Sequence, residues 1–309
     1  MRLKKIETNL EKDGFSGIYY PARERTDRTM LVMLGDSNTD RLVTSAAKYL
    51  HQKGCNVLSL CAVQKDGDDT GYHNFPMEHC EAAVHWALKN GSRKVGIAGG
   101  STSGMLALIA GSLIPELSMI LAFAPSDFVM QGFYQGNKDG MKEWPAAGQS
   151  TVSWRGRPLP YQPFYVEERE YWDIFHGDSK KYREINSLRL FRHSEEAKPI
   201  SEEAYIRVEN IRGTIVLTAA EDDSLWETAK YCRRMQKRLS EKGFSYPVKF
   251  WIYPVGTHFV FPQGMMKEFL PIAPNLLSLL FVSGRKHPKE CRNVRLDIDR
   301  KLTEVLKTW

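Results

Sequence analysis

Several features that would fix the class of a protein at once are missing from this 309-residue chain. No window approaches about 18 consecutive apolar residues, so no membrane-spanning helix is expected. The opening MRLKKIETNLEKDG has basic residues with no apolar core behind them, so it does not read as a secretory signal. Cysteine is sparse: Cys55, Cys61, Cys80, Cys232 and Cys291 are odd in number, scattered and without Cys-x-x-Cys spacing. They read as reduced thiols, mostly buried, in a cytoplasmic protein. Clusters of like charge are missing too. The net charge of +6 is dispersed, which argues against a nucleic-acid partner, although a basic rim would suit an anionic substrate carrying phosphates. Internal repeats and low-complexity tracts are absent.

What remains is a globular composition, 42% hydrophobic and 26% charged, long enough to bury a full core. The first half alternates β-rich runs with helical patterns. Strands are expected at Ser16–Tyr20, Met30–Leu34, Asn56–Ala62, Lys94–Ala98 and Met119–Ala124. Helices are expected over Asp40–Lys53 and Met77–Asn90, each stopped by a glycine (Gly54, Gly91), and from Met105 to Gly111. Such alternation predicts a mostly parallel sheet with helices on both faces. The rhythm breaks over residues 126–203, an aromatic, proline-containing insertion expected to be helical near its end and to lie over the sheet as a lid or as an ordinary packed subdomain. It then resumes with strand Thr214–Thr218, helix Ser224–Leu239, strand Val248–Tyr253, a helix from Met265 toward Phe281, and a final helix over Lys301–Lys307. One domain over residues 1–309 is expected.

Two serines compete as nucleophile. In MLVMLGDSNTD, an apolar strand stops at Gly35-Asp36-Ser37, the way GDSL-type esterases present their serine. Those enzymes also need a Gly-x-Asn-Asp block, and the chain has no Asn-Asp dipeptide; its Asp-x-x-His, Asp173–His176, falls in the insertion. The other candidate is KVGIAGGSTSGMLALIAG, where a β-rich run feeds Gly99-Gly100-Ser101-Thr102-Ser103-Gly104 and passes into an apolar helix. That is the strand–turn–helix setting of a nucleophile elbow, Gly-x-Ser-x-Gly, with Ser101 at its apex and Ser103 in place of the last glycine. Its bland reading is a glycine-rich loop for phosphate.

A serine needs a base, and the base needs an orienting carboxylate. After strand TIVLT comes AAEDDSLWET, where Ser224-Leu225-Trp226-Glu227 is a capping box that leaves Asp223 free, with Asp222 the second choice. After the next strand comes Val255-Gly256-Thr257-His258, a Gly-x-His turn at a strand end. Ser101, Asp223 and His258 stand in the chain order used by α/β-hydrolases, each just past a strand.

These segments resemble the C-terminal catalytic domain of the acyl-CoA thioesterase and bile acid-CoA:amino acid N-acyltransferase family, dienelactone-hydrolase-like members of the α/β-hydrolase fold. The resemblance rests on GIAGGSTSG, WRGRPLPY (Trp154–Tyr161), IRGTIVLTAAEDDSLW and GFSYPVKFWIYPVGTH. It implies an α/β-hydrolase fold with an inserted lid region, Ser101 as nucleophile, Asp223 as acid and His258 as base. It further implies an oxyanion hole from the N–H of Thr102 and of Asp36 or Ser37, and substrate contacts at Trp154 and Arg155. The implied substrate is a small-molecule acyl ester or thioester, with coenzyme A as a candidate leaving group; no metal or organic cofactor is implied. Acyltransferases of the group carry cysteine at the elbow, so Ser101 leans toward hydrolysis, with transfer to an amine and a non-catalytic binding role as the other readings. Trp144, Trp154, Phe164, Tyr165, Tyr171, Trp172 and Phe175 would line an acyl pocket under the lid.

Overall fold

The computed structural model describes residues 4–34, 40–66, 69–135, 143–165, 174 and 177–309. Eight strands make the central sheet: β1 (Ile6–Glu7), β2 (Gly17–Tyr20), β3 (Arg28–Met33), β4 (Asn56–Leu60), β5 (Lys94–Gly100), β6 (Leu117–Phe123), β7 (Thr214–Ala220) and β8 (Val248–Tyr253). Their spatial order is β1-β2-β4-β3-β5-β6-β7-β8. From β4 to β8 every pairing is parallel, and only β1–β2 and β2–β4 run antiparallel. Parallel strands need crossovers, and those crossovers cover both faces.

Five long helices pack on the sheet: α1 (Arg41–Gln52), α2 (Glu78–Lys89), α3 (Thr102–Leu113), α4 (Thr228–Glu241) and α5 (Pro288–Thr308). Alternation along β3 shows how the strands serve two cores: Leu31 and Met33 join α2, α3 and α4, while Met30 and Val32 join α1 and α5. The side chain of Asp40 caps α1 by accepting from Val43 N at 2.9 Å. Gly54 (φ 82°) and Gly91 (φ 97°) take the left-handed conformation just past α1 and α2, as their sequence positions predict. Helix α3 is apolar on all sides because it is buried from Thr102 to Gly111. Among the described residues no helix is long and apolar enough to cross a membrane.

Two regions depart from expectation. The first half of the insertion is β structure. Gln131–Gln135 pairs with Glu143–Ser150 and with Asp69–Tyr72, a strand in the segment between β4 and α2. Val152–Trp154 pairs with Phe75–Pro76 and, across a two-residue turn, with Arg157–Pro158. Arg155 (φ 52°) and Gly156 (φ 74°) form that turn with two positive φ values, which matches the twist of the flanking strands. Most of these strands are short and they carry Gly, Pro and Gln, so they lack the alternation that announces a strand, and their pairings with Asp69–Tyr72 and Phe75–Pro76 are distant in sequence. Among the described residues Leu188–Ala197 is the longest helical piece near the end of the insertion.

The second departure follows β8. In place of one helix from Met265 to Phe281 there is a helix at Gln263–Phe269, a 3-10 turn at Leu276–Leu280 and a short helix at Val282–Lys286. Pro271 and Pro274 fall in the break, where neither can continue a helix. The final helix starts far earlier than expected, with Pro288 in its first turn. Its buried seam, Cys291, Arg295, Ile298, Leu302 and Leu306, holds an arginine that breaks the apolar pattern.

Arg295 is 1% exposed and, among the described residues, has no carboxylate partner. Its guanidinium donates to Gln263 Oε1 (3.0 Å), Ser278 Oγ and Asn275 Oδ1, so one cation reads three neutral acceptors from the broken segment. Burial pulls its pKa down to about 10, which leaves it charged at neutral pH. Arg295→Ala should cost about 3 kcal/mol, because three acceptors lose their donor in a buried site. Urea denaturation of the variant against wild type measures this, and a loss below about 1 kcal/mol would contradict it.

Candidate active site

The site is assembled at the C-terminal ends of β5, β7 and β8, which stand in the same half of the sheet. β5 runs directly into α3 through Ser101, whose backbone sits at φ 60°, ψ −131°. A non-glycine residue there stores on the order of 1–3 kcal/mol of strain. Ser101 N donates to Phe123 O of β6 at 2.8 Å, which ties the turn to the next strand. The steric demands fall on three glycines. A Cβ on Gly99 would lie 2.0 Å from Ser103 O, one on Gly100 2.3 Å from Phe261 Cε1, and one on Gly104 2.9 Å from Phe123 O. Ser103 is itself buried, so its small side chain fits where the sequence pattern asks for glycine.

His258 follows β8 through Gly256, whose Cα approaches Ala220 so closely that a Cβ would meet that alanine's Cβ at 2.7 Å. Thr218 Oγ1 of β7 donates to Val260 O at 2.9 Å and fixes the loop from its far side. The imidazole is 3% exposed. Its Nδ1 lies 2.8 Å from Asp223 Oδ2 and its Nε2 lies 2.8 Å from Ser101 Oγ. A carboxylate only accepts, so the proton sits on Nδ1 and Nε2 is left to accept from the serine hydroxyl.

Asp223 is also buried. Its Oδ1 accepts from Leu225 N at 3.0 Å, and Thr228 Oγ1 lies 3.1 Å from its Oδ2. Asp222 is engaged elsewhere, accepting from Ser283 Oγ at 2.9 Å. The expected capping box does not form. Helix α4 begins at Thr228 with no side-chain cap, and Ser224 Oγ donates to Ile185 O of the insertion at 2.9 Å. Asp223 has already taken the nearby backbone donor, and tertiary contact draws the serine away.

Three residues around the His258–Asp223 pair escaped the sequence reading as site residues. Trp226 sets its ring edge-to-face on His258 at 4.7 Å and donates Nε1–H to Ala124 O. Phe191 of the insertion packs on Trp226 at 5.3 Å, so the inserted helix reaches His258 through one aromatic ring. Thr228 reaches Asp223 from the start of α4. Trp226 lies inside the motif quoted above, but nothing local in the sequence pairs it, Phe191 or Thr228 with the histidine.

The remaining expectations fare differently. Thr102 opens α3 directly after Ser101, where first-turn N–H groups are unpaired within the helix. Asp36 and Ser37 lie outside the described residues, as do Tyr171, Trp172, Phe175 and the side chain of Trp144. Arg155 forms a bidentate pair with Glu81 of α2 (2.8 and 2.6 Å) and stacks over Trp154 at 4.1 Å. No hydrogen bond or ring contact among the described residues joins Trp154 or Arg155 to Ser101 or His258. Phe164 packs on Phe191 at 5.5 Å.

Over residues 75–265 the chain matches the family described as BAAT / acyl-CoA thioester hydrolase C terminal. The chain belongs to this family. Solved structures of low identity share its fold. The Pyrococcus furiosus esterase Pf2001 superposes with a TM-score of 0.52 at 15% identity, over 100% of this chain and 93% of that one. MGS-M1, an α/β hydrolase enzyme from a Medee basin deep-sea metagenome library, gives 0.51 at 13% identity, over 99% and 98% of the two chains. Among curated protein sequences none matches. The fold of this BAAT / acyl-CoA thioester hydrolase C-terminal family member is thus the α/β-hydrolase fold, with the strand order given above.

The turn geometry separates two small residues that the sequence pattern treats alike. Gly99→Ala should abolish soluble folding or cost more than about 4 kcal/mol, because the clash is with backbone. Ser103→Gly should cost no more than about 1 kcal/mol, the usual penalty of glycine in a helix. Thermal unfolding of the two purified variants tests both.

Proposed function

We propose that this chain is a serine hydrolase of acyl esters and thioesters, with acyl-CoA thioesters as the favoured substrates. The observation that carries the reading is the unbroken chain from Ser101 Oγ through His258 to Asp223, with 2.8 Å at each link and the serine on a strained elbow. An ordinary buried histidine has no reason to bridge a buried carboxylate and a serine held at positive φ. Membership in a thioester hydrolase family supports the substrate class. On this reading residues 1–309 act as one α/β-hydrolase domain, with residues 126–203 as its insertion.

In the proposed reaction Ser101 Oγ attacks the acyl carbonyl carbon while its proton passes to His258 Nε2. Asp223 holds the imidazole through Nδ1–H and stabilises the imidazolium. The carbonyl oxygen becomes an oxyanion facing the N–H of Thr102 at the start of α3, with a second donor assigned to Asp36 or Ser37. Collapse expels the thiolate or alkoxide, which takes the proton from Nε2 and leaves an acyl-Ser101 ester. Water, deprotonated by the same nitrogen, attacks that ester; Ser101 Oγ leaves and takes the proton back from Nε2, and the carboxylic acid is released. Arg155 would have to leave Glu81 before it could bind a phosphate, so the hairpin turn is a secondary candidate for substrate contact.

Ser101→Ala should lower kcat/KM on acyl-CoA and p-nitrophenyl esters by at least about 10⁴-fold and abolish labelling by a fluorophosphonate. Ser37→Ala should remain labelled. Full activity in Ser101→Ala with a dead Ser37→Ala would overturn the assignment. An amide product on adding glycine or taurine would move the reaction from hydrolysis to transfer.

A further inference from the structure

The segment that follows the histidine loop builds a surface that hydrolysis does not use. Past the break at Pro271 and Pro274, Leu277 packs on the core and Ser278 is buried, while Leu276, Leu279 and Leu280 face outward. Their side chains are 54%, 45% and 43% exposed, and Ile272 beside them is fully exposed. Among the described residues these are four of the nine exposed large hydrophobics, concentrated within one short segment. Isolated exposed leucines need no explanation, but a contiguous set marks a contact surface.

The set is rigidly presented. Arg295 grips Asn275 and Ser278 from inside, Ile185 N donates to Leu280 O, and Phe281 N donates to Ser278 O. Gly284 lies so close that a Cβ on it would meet Ser278 O at 1.9 Å. Exposed cations outnumber acids along this stretch, although Glu184 (accepting from Val282 N at 2.7 Å) and Asp222 (accepting from Ser283 Oγ at 2.9 Å) reach it from other elements. Lys267, Arg285, Lys286, Lys289 and Arg292 are all exposed, and among the described residues none is in an ion pair. Arg285 Nη1 donates to Leu279 O, which holds that cation at the edge of the leucines. The acids in the same stretch are Glu268, which accepts from Gln52, and the exposed Glu290.

Charge decides between occupants. A second copy of this chain docking through the same patch about a twofold axis would bring two cationic rims together. An anionic lipid surface meets both halves of the patch: leucines enter the headgroup–acyl boundary and cations meet phosphates. The patch also adjoins the site, since Phe281 at its end stacks on Phe259 at 5.4 Å and Phe259 stacks on His258 at 6.4 Å.

We propose that Ile272, Leu276, Leu279 and Leu280, with Arg285 and Lys286, dock this protein on anionic lipid surfaces. The inference concerns binding and stands whichever ester the site cleaves. Co-sedimentation with vesicles of mixed phosphatidylcholine and phosphatidylglycerol, and with vesicles of phosphatidylcholine alone, tests it. Wild type should partition at least about tenfold more strongly to the mixed vesicles, with the preference falling as salt is raised. The variants L276S/L279S/L280S and R285E/K286E should each weaken that partitioning about tenfold or more, with the thermal midpoint and turnover of a soluble short-chain ester unchanged. Equal binding to both vesicles, binding to neither, or unchanged partitioning in both variants overturns the proposal. So does a wild-type dimer in sedimentation velocity that the leucine variant converts to monomer, since the patch would then be a self-interface.

Discussion

Everything at the site hangs on a backbone contact: Gly99 and the carbonyl of Ser103 approach within a distance that leaves no room for a Cβ. That contact lets strand β5 reverse into helix α3 within one residue, and the residue at the reversal, Ser101, is driven to positive φ. Its side chain therefore stands at the C-terminal end of β5, at the first turn of a helix buried from Thr102 to Gly111. The strain is held because Ser101 N bonds to β6 and because α3 is packed on every side.

The other two members reach the serine because parallel strands share one end. β6 pairs with β5 and with β7, and β7 pairs with β8, so the loops after β7 and β8 emerge beside the elbow. Each loop is then trimmed by a contact of its own: Leu225 N holds Asp223, and Thr218 holds the loop after His258. The insertion is tied to the same helix that follows Asp223. Arg234 of α4 makes two 2.6 Å contacts with Asp127 and a 3.0 Å contact with Glu195 of the inserted helix, stacked against Tyr231. Burial pushes Asp127 up to about 6 against the pull of Arg234. Arg234 joins both ends of the insertion to the helix that follows the acidic member of the site.

Much of this was legible in the residues because the signals were local. Apolar runs bounded by Gly54 and Gly91 marked the first crossovers, and their alternation with helices predicted the parallel sheet. The elbow could be read because small residues on both sides of Ser101 are a steric necessity written in adjacent positions. The strands of the insertion were not legible: Gln131–Gln135 and Asp69–Tyr72 pair across more than half a hundred residues, and neither has its own alternating face. The capping box at Ser224 misled for a related reason. The pattern was present, but Asp223 and the insertion offered the same groups better partners.

By itself, then, the sequence determined the fold class and the placing of Ser101, Asp223 and His258 in that order, each just past a strand. These follow from composition, periodicity and turn sterics, which act between neighbours in the chain. Only the tertiary structure decided that Asp223 and not Asp222 meets the histidine, since the two carboxylates are adjacent and diverge only in what faces them, His258 for one and Ser283 for the other. It also decided that Trp226, Phe191 and Thr228 support the site and that Arg155 faces Glu81. Those pairings join residues far apart in sequence, and no local pattern encodes a distance that only packing sets.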